Sequence, residues 1–199
     1  RVQTFQLSKL SVTEIKDRLE YIISRENSDS SNITYTEDAI SYIAKLANGG
    51  MRDALTLLDK ALTYSNNITS ESLSIALGLP DYDDYFALLS AITKHDNAKI
   101  TSMINHVYNS GKNFVKWFES FHSFVMNIVK YVFMQDIDAT MIPSHYADKI
   151  SLYTTAHASV CLKISNILIK MLRELRTTSY QQEIALTFLC MPPRKKASG

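Results

Sequence analysis

Glycine and proline are scarce in this chain, five and four residues among 199, and that scarcity favours helices joined by short turns. Cysteine is scarcer still. Cys161 and Cys190 form no C-x-x-C pair and no disulfide framework, which fits a reducing cytosol and a cytoplasmic location. No charge of one sign dominates: the formal net charge is +1, so any binding to nucleic acid or membrane has to come from a local patch. No apolar run approaches the length of a membrane span, and no signal peptide opens the chain. The five histidines never stand at i, i+3 or i, i+4 spacing, which argues against a local metal site. No G-x-S-x-G context supports a nucleophile. A G-x-x-x-x-G-K-[ST] loop is also missing, so nothing here cradles a triphosphate unaided and no hydrolytic activity is expected of this chain alone. With Arg1 leading straight into patterned sequence and no initiator methionine, the expectation is part of a longer protein.

What is present is apolar periodicity, with 46% hydrophobic residues, enough for one domain or two small ones with real cores. The most informative stretch is Ala47 to Asp59. Ala39, Ile40, Ile43, Ala44 and Ala47 form a helical stripe before it; Ala54, Leu55, Leu58, Ala61 and Leu62 form one after it. Gly49 and Gly50 are expected to supply the positive φ values that end one helix and turn the backbone. The next helix then begins near Met51, which puts Arg52 in its first turn, among unpaired N–H groups at the positive end of the dipole. A cation is electrostatically misplaced there. An external anion such as a phosphate resolves the conflict, and so does a neighbouring carboxylate such as Asp53, or plain solvation.

Taken in order, Arg1 to Leu7 alternates polar and apolar residues like a short extended lead-in. Ser11 and Glu14 form a capping box for a helix from about Val12 to Arg25. Residues 26–32 read as a polar turn, and Thr34 or Thr36 caps the next helix, with Glu37 and Asp38 in its first turn. The helix begun at Met51 ends near Tyr64, Asn66 and Asn67 turn the chain, and Thr69 caps a short helix closed by Gly78 and Pro80. In the second half Asp81, Asp83 and Asp84 read as a dipole-compensated helix start rather than a metal cluster. Another helix runs from Ala98 to Tyr108, with Tyr108 among its inward residues. The heaviest helix carries Phe114, Trp117, Phe118, Phe121 and Phe124 and should be central, a core rather than a base-stacking row, since only Lys112, Lys116 and Lys130 stand near it. Beyond a loop lie a helix starting at Ser144 or His145 with Ile150, Leu152 and Tyr153, a long helix through Val160 and Leu162 to Leu175, and a last one from Gln182 to Cys190.

Gly49-Gly50-Met51-Arg52-Asp53-Ala54-Leu55-Thr56-Leu57-Leu58-Asp59 resembles the G-x-x-R-D-A-L-S-L-x-D signature of the gamma/tau family of bacterial DNA polymerase III clamp-loader ATPase subunits, with Thr56 for the usual serine. In that family the motif's arginine is sensor 2 of the AAA+ fold, so the resemblance implies that Arg52 reaches the terminal phosphates of ATP from the lid. Arg1 and Phe5 align with the S-R-C-x-x-F segment, whose arginine is the finger presented in trans to a neighbouring subunit's ATP; Val2 replaces the cysteine. Leu77-Gly78 stands where the family leaves the lid, and the segment around Glu183 is similar to its final collar helix. The implied architecture is all-α: residues 1–10 ending the nucleotide-binding domain, 11–78 the AAA+ lid, 79–191 a helical-bundle collar, and 192–199 a solvated tail. ATP and Mg are implied for the parent protein only, held mainly upstream of Arg1. Other clamp-loader subunits are implied as partners through the collar, with the sliding clamp and primer-template DNA met by the full assembly, accessory subunits on the collar, and no membrane. Two alternatives stay open: a free-standing helical adaptor, and the lid and collar of a non-hydrolysing subunit such as delta prime.

Overall fold

A computed structural model describes residues 8–28 and 31–190. Arg1, Phe5 and the rest of residues 1–7, and the whole of the tail at 192–199, lie outside the described residues. The described chain is helical apart from one two-residue strand pair, and it divides into two units. One runs to Leu79 and takes in Pro143–Ala147; the other comprises Pro80–Ile142 and resumes at Asp148.

In the first unit, α1 (Val12–Ser28) begins on the expected capping box: Ser11 Oγ accepts from the Glu14 amide, and the Glu14 carboxylate accepts from the Ser11 amide at 2.8 Å. Its buried face is Ile15, Leu19 and Ile23, spaced to fall on one stripe. Each such burial contributes roughly 1.5–3 kcal/mol. β1 (Thr34–Tyr35) follows, then α2 (Glu37–Leu46), entered from an extended Thr36. Lys16 on α1 pairs with Glu37 at the start of α2, where the dipole also favours a carboxylate. α3 (Met51–Tyr64) buries Ala54, Leu58 and Ala61 against these helices. β2 (Asn67–Ile68) then pairs in parallel with β1, Thr34 opposite Asn67 and Tyr35 opposite Ile68. α4 (Ser70–Leu77) starts on a reciprocal Thr69–Ser72 cap and stops at Gly78, whose φ of 61° is the left-handed value a helix end commonly needs.

The second unit contains α5 (Tyr82–Thr93), α6 (Asn97–Asn109), α7 (Phe114–Met134), α8 (Ala147–Ser151) from Asp148 on, α9 (Thr155–Leu175) and α10 (Gln181–Leu189); the 3-10 turn at Ser144–Tyr146 that leads into α8 belongs to the first unit. Asp81 caps α5 by accepting from the Asp83 amide, the role expected of that acidic start. α7 is the core of this unit: Phe114, Trp117, Phe118, Phe121, Phe124, Val125, Ile128, Val129 and Val132 are all buried, largely along α9. Its aromatics therefore pack rather than stack on a ligand.

Several outward residues depart from expectation. Tyr108, Val160 and Leu162 are exposed, although Tyr108 still meets the Phe114 ring edge to face. Leu152 is 74% exposed, since α8 ends at Ser151 before its stripe can continue.

Candidate functional site

The turn between α2 and α3 sets the geometry around Arg52. Ala47 is still helical, Asn48 and Gly49 both take left-handed backbone at φ 48° and 87°, and Gly50 is extended at φ −100°. The positive φ values thus belong to Asn48 and Gly49, which corrects the assignment of one to Gly50. Asparagine tolerates that region because its short polar side chain loses little there. Gly50 is the N-cap residue, and its lack of a side chain has another cause: the Asp53 carboxylate folds back to within 2.7 Å of where a Cβ would stand. The connection is held by main-chain bonds, Asn48 N–H to the Lys45 carbonyl at 3.1 Å and Gly50 N–H to the Ala47 carbonyl at 2.9 Å.

No side chain caps α3, so its first-turn N–H groups keep their capacity for an outside acceptor. Arg52 stands in that turn, opposite the Ala54, Leu58 and Ala61 face, on a strip shared with Thr56, Asp59 and Thr63. Its side chain is exposed. Among the described residues no carboxylate pairs with it, unlike Lys16, Lys149 and Arg176, which meet Glu37, Asp83 and Glu119. Asp53, the acidic neighbour weighed as its partner, turns instead toward Gly50. Thr56 Oγ1 donates to the Arg52 carbonyl at 2.9 Å, tying the backbone of the first turn to the second. An unpaired guanidinium beside uncapped amides fits an anionic oxygen ligand such as a nucleotide phosphate.

A divalent ion finds no holder here, since no cluster of His, Cys, Asp or Glu suited to a metal occurs among the described residues. Burial pushes the Cys161 thiol up to about 11, which keeps it protonated and unreactive at neutral pH. In the second unit a cleft of about 640 Å³ is lined by Tyr108, Lys112, Phe114, Lys116 and Arg176 among others. Arg176 there is already paired with Glu119. A neighbouring groove exposes one edge of His122, whose Nε2 and Ser165 Oγ share a 2.8 Å hydrogen bond, and Glu119 and Arg173 line the same groove. No described helix is long and apolar enough to cross a membrane.

Residues 14–67 match the model of a family described as DNA polymerase III clamp loader subunit, ATPase lid domain, a span that includes the α2–α3 turn and Arg52. The chain is 28% identical over 118 residues to DNA polymerase III subunit tau of Salmonella typhimurium, covering 59% of this chain and 17% of that one. It is 32% identical over 108 residues to subunit gamma of Buchnera aphidicola subsp. Schizaphis graminum, covering 54% and 28% respectively. A weaker likeness, 22% over 204 residues, extends across 100% of this chain and 35% of subunit tau of Bacillus subtilis. The chain therefore spans between 17% and 35% of the length of these relatives. Family model and relatives agree with the motif around Arg52: residues 14–67 of this all-α chain match the ATPase lid domain of clamp-loader subunits, and the chain as a whole is similar to the gamma and tau subunits of DNA polymerase III.

Proposed function

We propose that this chain is the lid and collar portion of a clamp-loader ATPase subunit, and that Arg52 is the lid residue that meets the nucleotide. The observation that carries the proposal is the exposed guanidinium of Arg52, free of carboxylates among the described residues and set at the uncapped start of α3. ATP with its Mg supplies a triphosphate whose terminal oxygens are strong acceptors; the loop that cradles it belongs to a domain outside these 199 residues. Arg52 adds a charge-assisted contact from the lid, worth more as the lid closes and water leaves. Rigid packing of α1, α2 and α3 then carries phosphate contact into motion of the whole lid.

Residues 79–191 serve as the collar in this scheme, holding the subunits of the loader together, with α7 as its packed spine. Nucleotide-dependent closure tightens the assembled ring on the sliding clamp, and primer-template DNA triggers release. Arg1, outside the described residues, takes the finger role toward a neighbouring subunit's ATP. Accessory subunits dock on the collar.

The test is Arg52→Ala in the full subunit. ATP-dependent clamp binding should weaken while assembly with partner subunits stays intact. Clamp loading at the wild-type rate by that variant removes the phosphate-contact role.

A further inference from the structure

The start of α3 has a weakness that the proposed role of Arg52 cannot tolerate. A helix without an N-cap side chain frays at its first turn, and Arg52 sits in that turn. The two residues just before the cap, Asn48 and Gly49, are both left-handed, a conformation these residue types visit readily but do not by themselves hold fixed. Beyond the two main-chain bonds within it, something outside the α2–α3 turn steadies it.

The chain entering α1 does so. Leu10 N–H donates to the Gly49 carbonyl at 3.1 Å, and Lys9 Nζ donates to Asn48 Oδ1 at 3.2 Å. Between these two bonds the stem of Lys9 lies flat on the turn. A Cβ at Gly49 would come within 2.6 Å of Lys9 Cβ, 3.0 Å of Cγ and 3.1 Å of Cδ. Gly49 is thus required twice, once by its φ of 87° and once because the aliphatic stem of Lys9 occupies the space of a side chain. Main chain, stem and ammonium each touch a different part of one three-residue turn. Residues 39 positions apart in sequence are brought together for this.

We infer that Lys9 is a positioning residue for Arg52: it straps the incoming chain over Gly49 and so fixes the first turn of α3 from outside, in place of the missing cap. The inference rests on Arg52 as the phosphate contact. Lys9 spends its ammonium on Asn48 and acts through the turn, not on the ligand.

The experiment uses the full subunit and four variants: Lys9→Ala, Lys9→Arg, Arg52→Ala and the Lys9→Ala/Arg52→Ala double. Nucleotide affinity is measured by titration and amide exchange at Met51–Ala54 by mass spectrometry. Lys9→Ala should weaken nucleotide binding about three- to tenfold, the span of one net hydrogen bond, and speed exchange in that first turn. Lys9→Arg, which keeps both stem and donor, should stay within about twofold of wild type on the same scale. The double variant should bind no more weakly than Arg52→Ala alone, because residues that act through one another do not add. Unchanged exchange and affinity in Lys9→Ala overturn the inference, and so does a full additive loss in the double variant. If instead Arg52→Ala binds nucleotide as wild type does, the phosphate contact itself is wrong and the strap loses its purpose, an outcome read from a different variant.

Discussion

Tyr85 and Trp117 meet edge to face, ring centroids 4.9 Å apart at 73°, and the Tyr85 hydroxyl reaches the Trp117 carbonyl at 3.4 Å. Phe121 and Phe124 close on the same ring at 5.6 Å each, so one residue of α5 gathers three aromatics of α7. Tyr85 is fully buried, and burial raises its phenol far above the ordinary tyrosine value.

That arrangement separates packing from hydrogen bonding in one pair of variants. Tyr85→Ala should cost about 3–5 kcal/mol, the range for deleting a buried aromatic ring. Tyr85→Phe should cost about 0.5–1.5 kcal/mol, the net worth of a hydroxyl that bonds the Ser120 side chain and makes a long 3.4 Å contact to the Trp117 carbonyl. Urea denaturation midpoints of the two variants against wild type measure the difference. Equal losses would mean that the hydroxyl, not the ring, organises this core.

The two glycines before α3 should respond differently. Gly49→Ala places a Cβ at φ 87° and against Lys9 Cβ, and should destabilise the protein by about 1–2 kcal/mol. Gly50 already has a φ any residue accepts, and its nearest obstacle is the mobile end of the Asp53 side chain. Gly50→Ala should therefore cost under about 1 kcal/mol, the ordinary range for a surface change. Thermal unfolding of the two variants side by side gives the order, and the reverse order would contradict the turn geometry.

Acid sensitivity should begin with His122. Burial holds its imidazole below the ordinary value of 6.5, because charging it there loses hydration. The unfolded chain therefore takes up this proton first as pH falls. The stability tied to neutral His122 is intact above about 6.5 and is lost as pH drops from there through the lowered folded value. Glu119, Arg173 and Arg176 share the groove, and the Ser165 hydroxyl faces the ring. Glu14 and Glu37 act lower: the Ser11 amide and the Lys16 ammonium hold these carboxylates below 4.5, so their share persists until pH passes beneath that value. Denaturation midpoints between pH 7.5 and 5 should fall for wild type and flatten for His122→Gln, following the window set by an imidazole. A His122 proton resonance titrating at or above 6.5 would contradict the burial argument.

Most helices were legible because their signals are local. Met51 to Tyr64 could be bounded from two glycines and an apolar stripe, and Ser11–Glu14 and Thr69 announced helix starts through capping chemistry alone. Arg52 could be placed in a first turn for the same reason. What escaped was non-local. β1 and β2 are two residues each, too short for any alternation, and Asn67 read as a turn until its partner Thr34 was in view. The exposure of Tyr108, Val160 and Leu162 depends on which flank a neighbouring helix leaves bare, which periodicity does not encode. Gly50 looked like a conformational glycine; only the folded-back Asp53 gives it a steric reason. Lys9 carries no motif, and its meeting with Gly49 exists only once α1 and α2 have packed.

The pairing of Thr34–Tyr35 with Asn67–Ile68 brackets α2 and α3 at both ends of the segment they form. Its fastenings are peptide groups, the Thr34 amide to the Asn66 carbonyl and the Thr36 amide to the Ile68 carbonyl, each at 2.9 Å. Thr34 Oγ1 also donates to Asn67 Oδ1 at 2.9 Å, and Ile68 is sealed in the core, so only the exposed Tyr35 is left to the backbone alone. Mutational drift at Tyr35 can proceed without reorienting the segment that presents the arginine, whereas a proline at 34 or 36 would remove one of those amides.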